Sequence, residues 1–340
     1  MQGRRVQAGK LPLLLQFQDV GGYRVIQYPS PSPSSWAVQI NQSYDKDPVI
    51  GDLLRTRDFR RALSLAIDRK EIQEIVFAGT GEIRAYAPAK GTLYDPGDEL
   101  RYFEIDRDLD RANALLDGLG LTARDSDGFR LRPDGEGPIL LRWDIQAAQV
   151  DPVELFNQHW EDIGIKATYN VDSQAQVIHR ANEGYLQARP GGGGWNCWMG
   201  RGDCAPGVPS AQIAVDVGRW YETDGEKGES PLLDKYKNED GRYIFKEMLD
   251  AWEEGFQQRM TSPRRKELAK FLYKTYIEEV LVITVLGSST ATKGLFVVNN
   301  DMRNVPDPRT ALHADFFNQP PRVSMYYYEN PEQHQTFTPR

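Results

Sequence analysis

A chain of 340 residues, 40% hydrophobic and 11% aromatic, has the side chains for a sizeable core and the length for up to two domains. Its net charge of -8 supplies no basic field for phosphate backbones or anionic lipid, which argues against nucleic acid and membrane surfaces as partners. No window approaches the roughly 18 consecutive apolar residues of a bilayer span. Leu11-Pro-Leu-Leu-Leu15 is too short for a signal peptide and lacks a small-residue cleavage site, so no export signal is expected in this chain.

Tyr23 to Tyr28 alternates as a strand, Pro29-Ser-Pro-Ser-Pro33 breaks it, and Trp36 to Asn41 resumes it. From Asp58 the apolar period becomes helical through Phe59, Leu63, Ala66, Ile67, Ile72, Ile75 and Val76. Asp58 stands as the cap, Gly79 as the stop, and a break is expected near Asp68. Asp106 to Leu116 forms the next helix, ended by Gly118 and Gly120, and the Asp127-Gly128 and Asp134-Gly135 turns predict a hairpin. Strand Ile139 to Ile145, helix Asp151 to Asp162 and strand Ile165 to Val171 then compose a right-handed parallel crossover, which makes the class α/β.

A further helix follows Gln174, and the Gly191-Gly-Gly-Gly194 run reads as a loop beside an aromatic cluster. Two long helices are expected over Tyr243 to Gln258 and Pro263 to Val280, the second started by Thr261-Ser262-Pro263. From Leu281 the chain alternates strand-like runs with turns, closing with Val323 to Tyr328. Both cysteines, Cys197 and Cys204, lie in the Gly-rich segment, where their spacing permits a small disulfide loop and equally permits two unpaired thiols. His159, His179, His313 and His334 are scattered, and none has ligand spacing with a cysteine, so neither a metal site nor a cofactor is expected.

The string Arg57-Asp-Phe-Arg-Arg-Ala-Leu-Ser-Leu-Ala-Ile-Asp-Arg-Lys-Glu-Ile72 resembles the signature helix of family 5 solute-binding proteins, the peptide, nickel and oligosaccharide type. Trp36 to Gln42 resembles the strand before that signature, Asp108 to Leu121 the family's aspartate-rich helix, and Asp127-Gly128-Phe129 with Asp134-Gly135 its following hairpin. Glu161-Asp-Ile-Gly-Ile-Lys166 is similar to the family's helix-to-strand corner. The resemblance runs from about Leu11 to about Tyr328.

It implies a periplasmic-binding-protein-like fold of class II, the type with an extra domain, represented here mainly by the second lobe with flanking strands of the first. Residues 1–45 would close the first-lobe β region, 46–283 form the second lobe, and 284–340 return to the first. Hinge crossings would then fall near Asn41 to Asp45 and Thr284 to Ser289. Complete members are roughly twice this length by two-lobe logic. The chain is therefore expected to be an N-terminally truncated piece that binds solute weakly or not at all alone.

The implied function is the extracytoplasmic substrate-binding component of an ABC importer, with a small solute and membrane permease subunits as partners. Trp195-Asn-Cys-Trp-Met-Gly-Arg-Gly-Asp-Cys204 falls where peptide-binding relatives carry a tryptophan followed by an aspartate for the ligand's amino terminus. Asp203 is the candidate aspartate, but Cys204 stands where that pattern has an aromatic residue, so oligosaccharide joins oligopeptide as a candidate. Trp195 and Trp198 offer stacking faces or core packing, and Arg201 offers a fork for a carboxylate or a solvated loop charge. Asn196, Trp36 and Asn41 complete the candidate ligand set. Trp220-Tyr-Glu-Thr-Asp-Gly225 resembles a stretch in longer, oligosaccharide-associated members, or is simply a helix end.

Enzyme chemistry finds no support. The Gly191 run lacks the Lys-Ser/Thr of a phosphate loop, Asp125-Ser-Asp-Gly128 lacks the later ligands of a calcium loop, and no nucleophile stands with a base. A non-binding piece or a chaperone-like interaction module of the same fold is the remaining alternative.

Overall fold

The computed structural model describes residues 10–27, 32–193, 212–288, 295–305 and 326–333. A short helix α1 (Leu11–Gln16) and strand β1 (Tyr23–Gln27) precede strand β2 (Ser34–Ile40) and helices α2 (Pro48–Arg55), α3 (Arg57–Leu65) and α4 (Arg69–Phe77). Strand β3 (Glu82–Ile83), helices α5 (Asp98–Arg101) and α6 (Leu109–Gly118), strand β4 (Leu140–Ile145), helix α7 (Val150–Glu161) and strand β5 (Lys166–Val171) come next. Helix α8 (Gln174–Asn182), strand β6 (Ala188–Gly193), and helices α9 (Val215–Glu222), α10 (Ile244–Gln257) and α11 (Pro263–Glu278) follow. Strands β7 (Val282–Gly287), β8 (Leu295–Asn299), β9 (Met302–Arg303) and β10 (Tyr327–Tyr328) complete the described elements.

A six-stranded mixed sheet in the order β3-β7-β2-β6-β4-β5 organises the fold. The period-2 pattern of β2 explains why it sits inside: Trp36, Val38 and Ile40 enter one core and Ala37 the other. The first core also takes Leu54, Phe59, Leu63 and Ile72 from α2 to α4, with Phe156 and Trp160 from α7. The second takes Phe245, Met248 and Trp252 from α10 and Leu272, Tyr273 and Tyr276 from α11. Helices on both faces of a sheet give the α/β class expected from the sequence. Two smaller antiparallel pairs, β1 with β8 and β9 with β10, lie outside this sheet.

The expected crossover is present, with β4 and β5 parallel and in register from Leu140↔Lys166 to Ile145↔Val171. Its corner is set by Gly164 at φ +79°, where the Gly164 N–H donates to Glu161 O and the Ile165 N–H to Trp160 O. The signature string is two helices, broken at residues 66–68 as expected, and Asp68 caps the second by accepting from the Glu71 N–H. Thr56, not Asp58, occupies the first N-cap position, and Asp58 lies in the first turn.

Three further expectations change. The 122–138 region holds isolated bridges, Arg124↔Arg130 and Leu131↔Pro138, in place of a continuous hairpin ladder. Of the glycines expected as a loop, Gly191 to Gly193 belong to β6, with Gly191 paired to Ala37 and Gly193 to Ser34, and Gly194 lies outside the described residues. Helix α2 was missed, although Asp47 caps it by accepting from the Ile50 N–H and Pro48 opens it.

Both strands at the expected lobe boundaries, β2 before residue 45 and β7 across residue 284, pair with each other inside the large sheet. Asn41 to Asp45 leads from β2 into α2 and stays with that sheet, the Asn41 N–H donating to Gln187 O and the Gln42 N–H to Ile213 O.

Candidate functional site

Because β4 is parallel to β5 and β6, and β2 is antiparallel to both β6 and β7, the strands β4, β5, β6 and β7 all point the same way. Their carboxyl ends, Ile145, Val171, Gly193 and Gly287, therefore share one edge with Ser34 at the start of β2 and Glu82 at the start of β3. Strand order also reverses here: β4 steps outward to β5, and the next strand, β6, lies on the other side of β4. Open α/β sheets place their ligand crevice outside the carboxyl ends, where the order reverses.

The edge is braced from within. After β4, the Gln149 carboxamide accepts from the Gln146 N–H at 2.9 Å and donates to Pro190 O at 2.6 Å, tying the β4–α7 turn to the glycine strand. After β5, Arg180 bridges Asp172 and Asp144, each at 3.1 Å. The Ser173 N–H and then Arg180 hold the Asp172 carboxyl below the ordinary carboxylate range. At the other side of the sheet, Arg84 is wholly buried and donates to Glu82, to the Ser288 hydroxyl and to Ser32 O. Charges at this edge are thus paired with one another, while Gln146, Gln149, Ser32 and Ser288 add half-buried amides and hydroxyls.

The sequence-derived candidates distribute unevenly. Trp195, Asn196, Trp198, Arg201, Asp203, Cys197 and Cys204 lie outside the described residues. Trp36 is buried against Phe156, ring centroids 5.0 Å apart. Asn41 follows the opposite end of β2, about 20 Å along the strand from its start. It too is buried: its amide donates to Leu186 O at 2.9 Å, and its Oδ1 accepts from the Ser43 N–H at 3.2 Å and hydroxyl at 2.9 Å. The structure does not bring Trp36 and Asn41 together, and it gives each of them internal partners.

Trp220 to Gly225 is a helix end, with Asp224 and Gly225 at positive φ and the Gly225 N–H donating to Trp220 O. His159 Nδ1 accepts from the Asp68 N–H at 3.3 Å and its Nε2 faces Glu71 at 2.7 Å, so both nitrogens brace the start of α4. Among the described residues no group of three or more His, Cys, Asp and Glu side chains could hold a metal ion. No helix among them is long and apolar enough to cross a membrane.

Sequence reasoning missed Gln149 and Arg84. A glutamine after a strand and an arginine between short elements carry no spacing signal; only the sheet topology shows that they meet at one edge.

Comparison with known families gives a match to "Bacterial extracellular solute-binding proteins, family 5 Middle" over residues 5–203, more than half of the chain. The chain belongs to this family. No curated protein matches its sequence. Among solved structures, the oligopeptide-binding protein OppA shares 26% identity with this family 5 protein at a TM-score of 0.68, covering 88% of this chain and 47% of its own. MelB from Agrobacterium fabrum C58, solved with stachyose, shares 16% identity at a TM-score of 0.65, covering 98% and 49%. NikA from Brucella suis, solved with Fe(III)-EDTA, shares 16% identity at 0.60, covering 88% and 52%. The chain thus spans about half the length of the structures it matches. The periplasmic-binding-protein-like fold is present, in part, in this family 5 chain.

Proposed function

We propose that this chain provides the large-sheet lobe of the substrate-binding component of an ABC importer. In this reading it captures an oligopeptide or oligosaccharide between two lobes and delivers it to a membrane permease outside the cytoplasm. The observation that carries it is the convergence on one edge of the carboxyl ends of β4 to β7 with the two passages of the chain out of the sheet, before β2 and after β7. The family match and the OppA and MelB likenesses support the same reading.

On this account the lobes connect through residues 28–33 and 288–294, between β1 and β2 and between β7 and β8, so β1 and β8 belong to the first lobe. These positions replace a crossing at Asn41 to Asp45, where the chain stays with the large sheet. The segment that follows Gly193 in sequence carries Trp195, Asn196, Trp198, Arg201 and Asp203, which join the reading on sequence position alone. Paired charges with half-buried amides and hydroxyls beside them suit a neutral, hydrogen-bonding solute such as a peptide backbone or a sugar ring.

A thermal-shift panel of di- to pentapeptides, cello- and galacto-oligosaccharides and nickel chelates tests the proposal. A true ligand at a hundredfold excess over its Kd stabilises by about 2.7 kcal/mol. Peptide and sugar arms separate the two solute classes. No shift from any solute in the complete, two-lobed protein would remove the binding role and leave an interaction module of the same fold.

A further inference from the structure

We propose that Arg84 is a positioning residue that ties Ser32, just before β2, to Ser288, just after β7, so that these two ends of the large sheet move together; this rests on the two-lobe reading above. Ser32 lies on the passage into β2 and Ser288 on the passage out of β7, far apart in sequence. One guanidinium spans them: Nη2 donates to Ser32 O at 2.8 Å and Nη1 to the Ser288 hydroxyl at 2.9 Å. Nη1 also donates to Glu82 Oε2 at 2.7 Å, and Glu82 Oε1 accepts from the Tyr102 hydroxyl at 2.7 Å, which fixes the orientation of the fork.

Space is reserved for this arrangement. A Cβ added at Gly287 would lie 2.1 Å from Arg84 Nη2 and 2.2 Å from Cζ, so the guanidinium fills the place a side chain at 287 would need. Arg84 is wholly buried, and a buried guanidinium that loses an acceptor keeps its desolvation cost without compensation. Separating Ser32 from Ser288 is therefore unfavourable, and a motion that carries both together is not. A planar fork can hold two directions at once; a lysine ammonium is a point charge on a flexible stem and cannot reproduce that geometry.

Hydrogen–deuterium exchange on the 340-residue chain tests this without any solute. In Arg84→Lys, exchange should rise roughly tenfold or more in both stretches 32–40 and 282–288 while α10 and α11 keep their protection. Ser288→Ala, which removes one arm, should raise exchange in 282–288 and spare 32–40. If Arg84→Lys fails to fold, Gly287→Ala, which displaces the guanidinium without removing it, must give the same paired increase. A rise confined to one stretch in Arg84→Lys or Gly287→Ala, a uniform rise across the chain, or no change would overturn the proposal. Since no solute enters, a failed solute titration bears on the binding role and leaves this result standing.

Discussion

Arg60 and Arg69 belong to the most recognisable string in the sequence, yet both are buried and both spend their donors on backbone carbonyls. Arg60 reaches Glu279 O through Nε at 3.0 Å and Nη2 at 2.7 Å, and Leu54 O at 2.9 Å, so it closes the C-terminal end of α11 where carbonyls and helix dipole favour a cation. Arg69 donates to Thr284 O at 2.8 Å, Ile105 O at 3.0 Å, Ser64 O at 3.1 Å and the Ser64 hydroxyl at 2.7 Å. Burial pulls each guanidinium down to about 10, so both remain charged at neutral pH. These side chains lock α3 and α4 to the end of α11 and to β7. Arg69→Lys keeps the charge but cannot span three carbonyls, and should cost about 2 kcal/mol or more. The urea midpoint should fall with the slope unchanged; a loss under about 0.5 kcal/mol, the scale of an ordinary surface substitution, would show that the carbonyls find other partners. Residue-level sequence reasoning could not see this, because arginine is a surface residue by default and only the tertiary fold reveals which ones are interior. The same limit applied to Trp36 and Asn41, whose types suit a cleft but whose partners are internal.

Elements were legible where a local signal agreed with packing and were missed where the two parted. The β4–α7–β5 unit and its Gly164 corner follow directly from the pattern, since the apolar residues around Ile163 and Ile165 enter the core and the turn requires positive φ. The composition of the glycine strand favours turns and predicts a loop, whereas pairing with β2 decides its conformation. Helix α2 had its start written in Asp47-Pro48, but its apolar run is too short for a periodic signal. Asp47 accepts from the Ile50 N–H and pairs with Arg132, whose hydrogen bond, with the cap, holds its carboxyl below the ordinary value of 3.8. Because the folded pKa is depressed, this contribution is complete above about pH 4 and is lost as the pH falls through the folded value. Asp47→Ala should therefore cost about 1 kcal/mol at pH 7, and the gap between wild type and variant should narrow towards pH 2 to 3. Thermal melts at both pH values check the sign; a gap that widens in acid would contradict it.

At the scale of the whole molecule, the family could be recognised from ordered strings of residues, but the place proposed for the site could not. It depends on which strand ends meet, and that follows from strand order: β6 inserts between β2 and β4, and β7 pairs with β2 across most of the chain's length. The resulting edge collects Gln149, Arg84 and the two passages out of the sheet, while Asn41 and its buried amide network sit at the other end. The central claim is that solute meets the carboxyl edge of the sheet. Backbone NMR of the chain, titrated with the solute that gives the largest thermal shift, tests it most directly. Shifts should cluster at the ends of β4 to β7, around Gln146, Gln149, Asp172 and Ser288. Shifts centred on Asn41, Ser43 and Gln187 at the opposite edge would contradict the account.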